Sequence, residues 1–198
     1  MLKAWNGLGY NRRAKYLHEA VKRLSSMPNV MLSPSHGNKI AYEDLRRLPG
    51  VGEYTAKAMR VFAWDEPEVL IETNIRAAFI HHFFPHTLDV HDRAILAYAK
   101  EAARAQDPRE WHWALMDYGA HLKKTLLNPS RKSAHYAKQS KFEGSLRQVR
   151  GAIVRAIAQD ASVAEVRRRF PDRFEEALTA LACEGLIGRQ RISGLRRQ

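Results

Sequence analysis

The sequence predicts an all-α protein in two parts, a helical domain followed by a small winged-helix-like unit. Two observations carry that prediction. Apolar residues recur at helical spacing along most of the 198 residues, while alternating strand patterns are scarce. Clusters of Gly, Pro, Asn and Ser then cut the chain into helix-length pieces.

In chain order, Ala14, Leu17, Ala20, Val21 and Leu24 line one face of a first helix. Residues 25–38, rich in Ser, Pro, Asn and Gly, read as a loop. Residues 42–48 form a short helix, Pro49-Gly50-Val51-Gly52 stops it, and helix resumes over 53–63. Asp65-Glu66-Pro67-Glu68 is another break, and 72–84 and 92–105 read as helices. Asp107 is placed to cap a helix running from Pro108 to about residue 126, since proline lacks the N–H that a first-turn residue leaves unpaired.

Residues 128–145 change character, with Pro129, Gly144 and several Lys and Arg, and read as a basic linker or an extended basic loop. Helices follow over 146–159, 163–170 and 173–184, the last carrying Phe174, Ala177, Leu178 and Leu181 on one face and closing at Gly185. Residues 186–195 read as a small hairpin turning at Gly188 or Gly194. Three helices and a ribbon fit a winged-helix unit, and a plain helical tail is the other reading. The expected division is therefore 1–127, a linker over 128–145, and 146–198.

Composition narrows the partner. A formal net charge of +12 and a pI of about 10.1 suit a polyanion, nucleic acid above all. Membrane binding is the weaker option, because no segment pairs a basic face with a strongly apolar one, and no run of apolar residues is long enough to span a bilayer. The N-terminal residues lack the apolar stretch of a secretory signal, so a cytoplasmic location is expected. Cys183 is the chain's one cysteine, which excludes an internal disulfide and any all-cysteine metal centre. It is expected to be buried in its helix. His81, His82, His112 and His121 read as satisfied or solvated histidines, and no metal is expected. Phe62, Trp64, Phe79, Phe83, Phe84, Trp111 and Trp113 read as core.

The sharpest signal is Leu48-Pro49-Gly50-Val51-Gly52-Glu53-Tyr54-Thr55-Ala56. One helix stops, a turn with two glycines follows, and a second helix starts at once. The glycines permit positive φ and close approach of another chain. The new helix offers unpaired N–H groups at its start, which suit a phosphate. Such contacts position a protein on a duplex without reading sequence.

That string resembles the DNA-binding hairpin of the endonuclease III and MutY superfamily. Three more strings agree in order: Trp5-Asn6-Gly7-Leu8-Gly9-Tyr10-Asn11-Arg12-Arg13-Ala14, then Ile71-Glu72-Thr73-Asn74-Ile75-Arg76, then Met116-Asp117-Tyr118-Gly119-Ala120. Together they resemble the MutY-type adenine glycosylases over about the first 120 residues. The resemblance implies a helix-hairpin-helix glycosylase fold and monomeric action on double-stranded DNA with mismatched or damaged base pairs. It implies a repair enzyme that flips adenine opposite guanine or 8-oxoguanine and hydrolyses its N-glycosidic bond.

The resemblance also assigns roles. Pro49, Gly50, Val51, Gly52 and Thr55 would hold phosphate, with Arg12, Arg13 and Arg76 as further DNA contacts; Arg131 and Lys132, read from their charge and not from the resemblance, are expected to face phosphate too. Tyr10 matches the ring that wedges between base steps. Glu72 falls where the family places its catalytic carboxylate, usually Asp, which stabilises the sugar cation. Asn74 would bond the sugar–phosphate or orient Glu72. Tyr54 stands where lyase-active relatives carry a Schiff-base lysine, so the resemblance implies monofunctional chemistry.

The pattern departs twice. The family's purine-protonating acid lies upstream of the Trp-x-Gly-Leu-Gly string, and these residues begin almost on Trp5. A fragment, or a protein that does not use that acid, is expected. The relatives' iron–sulfur loop would follow Gly119, where no cysteine stands, so no cluster is expected. The competing expectations are a thymine-mismatch glycosylase, a non-catalytic DNA-binding protein on the same scaffold, and a winged-helix regulator.

Overall fold

The computed structural model describes residues 4–5, 8–27, 39–188 and 192–195. Among the described residues the α-helices are α1 (Arg12–Ser25), α2 (Tyr42–Arg46), α3 (Glu53–Trp64), α4 (Thr73–Phe83), α5 (Asp92–Ala103), α6 (Pro108–Thr125), α7 (Leu146–Ala158), α8 (Ala164–Arg169) and α9 (Pro171–Cys183). A 3₁₀ turn, Pro129–Lys132, follows α6. No strand occurs among the described residues, and no helix there is long and apolar enough to cross a membrane. The all-α expectation holds.

The chain forms two compact units, residues 29–138 and residues 1–28 with 139–198. In the first unit, α3 to α6 surround Val61, Leu70, Ile75, Phe79, Ile80, Val90, Ile95 and Ala99. Asp107 caps α6 as expected, its Oδ1 accepting from the Glu110 N–H at 2.9 Å, with Pro108 in the first turn. Buried His112 is fully satisfied. Its Nε2 accepts the Leu70 N–H at 3.1 Å and its Nδ1 donates to the Pro108 carbonyl at 2.6 Å.

Burial pushes the His112 imidazole below its ordinary value of 6.5. The unfolded chain therefore binds the proton more readily than the folded one. This group's contribution is complete above about pH 6.5 and is lost as pH falls through the window below. Urea unfolding between pH 5 and 7 should show a stability decline on the acid side. His112→Phe should flatten it and cost about 1–3 kcal/mol at neutral pH by orphaning the Leu70 donor. A decline equally steep in the variant would overturn the assignment.

The second unit joins α1 to α7, α8 and α9. Val149 and Ile153 of α7 meet Phe174, Leu178 and Leu181 of α9, with Val163, Leu186 and Ile187 closing the cluster. Ser145 caps α7, its Oγ accepting from Gln148. Gly185 ends α9 at φ +67°, the left-handed stop expected there. Lys15 of α1 donates to the Glu184 carbonyl at 2.9 Å, and Arg12 pairs with the Glu184 carboxylate at 2.8 Å. A cation on the carbonyl end of a helix is favourable by the helix dipole.

Several expectations need correcting. Contact places α1 with the C-terminal helices and not with 39–127, because its polar partners lie around Glu184 and Gly185. Of the stretch read as a linker or extended basic loop, residues 128–138 pack within the first unit. Pro129 and Ser130 are buried, the Ser130 hydroxyl donates to the Thr73 carbonyl at 2.9 Å, and Val90 and Ser133 form a parallel bridge. The expected hairpin over 186–195 is not formed among the described residues. Residues 192–195 make a helical turn, and 189–191 lie outside the described residues.

On α1, Ala14, Ala20 and Leu24 are buried but Leu17 and Val21 are exposed. Cys183 is exposed, because it falls off the stripe of Phe174, Ala177, Leu178 and Leu181. Phe83 and Trp113 are exposed too, although Trp113 stacks on Phe62 with centroids 6.0 Å apart.

Candidate nucleic-acid interface

The hairpin is built as its residues demand. Leu45 and Leu48 are buried and anchor α2. The Val51 N–H bonds back to the Leu48 carbonyl at 3.1 Å, closing a turn around Pro49 and Gly50. Gly50 sits at φ +75°, where an L side chain is strained. Gly52 opens α3 in extended backbone, with no side-chain cap over the first-turn donors. Gly50, Gly52, Glu53, Tyr54 and Thr55 are all exposed, and Pro49 and Val51 are half-buried. The bend therefore presents the amino end of a helix to solvent, the arrangement a phosphate uses.

Gly50→Ala should cost roughly 1–2 kcal/mol by forcing a Cβ into the left-handed region. It should also weaken binding to a plain duplex, read by fluorescence anisotropy. Unchanged affinity together with an unchanged melt would show that the bend tolerates a side chain.

Glu72 precedes α4 as its N-cap, at φ −127° and ψ −178°. Its Oε1 accepts the Asn74 N–H at 2.7 Å and the Ile75 N–H at 2.9 Å. Both bonds fall on one oxygen, leaving the second outside the cap. Tyr54, on the first turn of α3, is close enough to feel that charge. Burial first, and the Glu72 carboxylate second, raise the phenol above its ordinary value of 10.0. The structure thus brings Tyr54, Glu72 and Asn74 together beside the hairpin helix.

Asn74 is fixed from two directions. Its side-chain oxygen accepts from Lys123 Nζ at 3.0 Å. Its backbone carbonyl lies against Gly119 of α6, where an added Cβ would come within 1.9 Å of the oxygen. The glycine of the Met116-Asp117-Tyr118-Gly119-Ala120 string is thus what lets α6 reach the start of α4.

Other expected contacts are differently placed. Arg76 is half-buried and grips Asp92 with two bonds, at 2.7 and 2.9 Å. That bond holds the Asp92 carboxyl below its ordinary value, so Arg76 is committed within the fold. Lys132 donates to the Pro85 carbonyl, while Arg131 is exposed. Tyr10, Arg12 and Arg13 belong to the unit of α1 and α7–α9. Tyr10 is 63% exposed at φ +45°, and its hydroxyl accepts from Gln139 at 3.2 Å.

Sequence reasoning did not single out Lys123 or Ser130 as supports of the site. Each acts across a long stretch of chain, on Asn74 and on the Thr73 carbonyl. The Asp107–Pro108 start of α6 and its apolar face place Lys123 on a helix, but nothing local names its partner.

The stretch after Gly119 also bears on an iron–sulfur cluster. It holds no thiolate and is folded as the end of α6 and the 3₁₀ turn bonded to Thr73 and Val90. Without a thiolate these residues do not fit a cluster.

Comparison with known proteins agrees with the strings above. The chain is 40% identical over 76 residues to the adenine DNA glycosylase of Mycobacterium tuberculosis, covering 38% of this chain and 23% of that protein. It is 29% identical over 123 residues to the adenine DNA glycosylase of Schizosaccharomyces pombe, covering 61% and 26%. With the Arabidopsis thaliana adenine DNA glycosylase it shares 28% over 139 residues, covering 68% and 21%. The chain thus spans about a quarter of the length of these curated relatives. No family profile and no solved structure matches it.

Proposed function

From the chain's kinship with the helix-hairpin-helix adenine DNA glycosylases, we propose that it is a monofunctional base-excision glycosylase acting on double-stranded DNA. The observation that carries this reading is the half-buried Glu72 carboxylate at the head of α4, beside Tyr54 on the exposed hairpin helix. The hairpin amides, with Thr55, hold the phosphates flanking a flipped adenine whose partner is guanine or 8-oxoguanine. Tyr10, Arg12 and Arg13 add contacts, Tyr10 as the wedge. As the C1′–N9 bond breaks, its electron pair goes to the purine, which takes up a proton and leaves as adenine. The free oxygen of Glu72 stabilises the sugar cation. Water adds at C1′ and gives up a proton, leaving an abasic site. Tyr54 forms no Schiff base, so the strand stays intact. Asn74 positions Glu72 through its backbone N–H, and Lys123 holds Asn74. Such an enzyme works wherever the DNA is, in the cytoplasm, and at the nucleoid if the cell is a prokaryote.

The test is direct. The chain is incubated with duplexes holding adenine opposite guanine or 8-oxoguanine, and free base and alkali-labile sites are measured. Adenine release with strand breaks only after alkali is the expected result. Thymine release from a thymine mismatch would redirect the substrate.

One observation favours a second reading. Glu72 already accepts two backbone N–H bonds, which is all that a structural cap requires. On that reading the chain grips mismatched duplex without excising a base. Tight mismatch binding with no abasic product would establish it.

A further inference from the structure

We infer that the unit of α1 and α7–α9 carries a nucleic-acid site of its own, a cleft that receives one unstacked nucleotide of a DNA strand. The inference rests on nucleic acid being the partner. It does not depend on the role of Glu72.

A cavity of about 650 Å³ opens in this unit, between the turn leading into α1 and the segment entering α7. That is the size range of small-ligand pockets. Its walls carry Tyr10, Tyr16 and Phe142 beside Arg13, Arg147 and Arg150. Tyr10 and Phe142 are 63% and 60% exposed, so two ring faces are open to solvent in one cleft. The Tyr10 ring is held in advance. Its backbone is at positive φ after Gly9, and its hydroxyl accepts from Gln139. Stacking on a fixed ring costs little ordering entropy.

Charge selects the occupant. Among the described residues lining the cleft, Glu184 is the one carboxylate, and it pairs with both Arg12 and Arg150. The Arg147 guanidinium donates to the Ser140 carbonyl and meets no carboxylate in the ion pairs of the described residues. The cleft keeps a surplus of positive charge next to aromatic faces. Rings that stack any base, interleaved with guanidiniums that take the phosphate, are the chemistry of unpaired nucleic acid.

The full chain is titrated against a duplex carrying one bulged 2-aminopurine and against the same duplex fully paired. The expected result is preferential binding of the bulged duplex with a change in 2-aminopurine fluorescence on stacking. Phe142→Ala and Arg147→Ala should each reduce the bulged-to-paired affinity ratio roughly tenfold. Phe142 is exposed, so its loss leaves the core intact. Gly50→Ala should instead weaken both duplexes together, which separates the cleft from the hairpin. Several outcomes would overturn the proposal: no bulge preference, a preference that both cleft variants retain, or free dAMP binding as tightly as the bulge. Failure to bind either duplex would remove the nucleic-acid reading itself and the cleft with it.

Discussion

Gly119→Ala is expected to destabilise the chain by more than about 3 kcal/mol, beyond the usual cost of overpacking a core. The new methyl carbon would lie 1.9 Å from the Asn74 carbonyl oxygen and 2.4 Å from its carbon. Both neighbours are backbone, so no side chain can rotate away. Either α6 retreats from α4 or the first turn of α4 comes apart. The expected fall in Tm is roughly 6–12 °C for a chain of this size, measured by circular dichroism at 222 nm. Gly151→Ala is the control. It lies inside α7 with nothing within 4 Å of its added Cβ, so it should hold or raise Tm. A Gly119→Ala melt within 2 °C of the parent would mean that the helices stand further apart than the structure places them. Glu72 caps the same first turn, so any surviving fold should also hold its carboxylate out of position. An error of an ångström there is worth about a hundredfold in rate.

What the sequence makes legible is what chain neighbours decide. Asp107 and Pro108 mark the start of α6 because a cap and a missing N–H act within one turn. Gly50 and Gly185 mark stops because each takes positive φ. The exposed hairpin follows from the same local grammar. What it leaves dark is set by partners far along the chain. α1 lies with α7–α9 because Lys15 and Arg12 find Glu184, more than a hundred residues on. No periodicity in 12–25 announces that partner. The segment 128–138 looked like a linker because it is basic and polar, yet Ser130 and Ser133 are buried and bonded. Composition counts polar atoms without showing whether they are satisfied.

The site divides along the same line. Tyr54, Glu72 and Asn74 are legible as a group only through the resemblance of the hairpin string and the Ile71–Arg76 string to the glycosylase family. Arg76 is expected on DNA because it closes a string that resembles the family's, and the structure commits its charge to Asp92. Cys183 was expected inside because cysteines usually are, and helix phase turned it out. In each case a type-level expectation gave way to a geometric one.

Glu72→Gln carries the other large effect, and it separates the two functions one carboxylate can have. The amide oxygen of Gln can still accept from the Asn74 and Ile75 N–H groups, so the cap on α4 survives and the melt should stay near the parent's. The charge does not survive. A unit negative charge about 4 Å from a developing cation, at an effective dielectric near 20, is worth about 4 kcal/mol, or close to a thousandfold in rate. Single-turnover adenine release should therefore fall by roughly two to three orders of magnitude with little change in duplex affinity. Glu72→Ala is the less informative variant, because it removes the cap as well and confounds chemistry with folding. Glu72→Asp retains the charge on a shorter arm and tests position alone. If Glu72→Gln excises adenine as fast as the parent, the carboxylate is a helix cap and nothing more, and the catalytic centre must be sought elsewhere. If neither protein excises while both bind mismatched duplex alike, the chain is a DNA-gripping relative of enzymes whose chemistry it does not share.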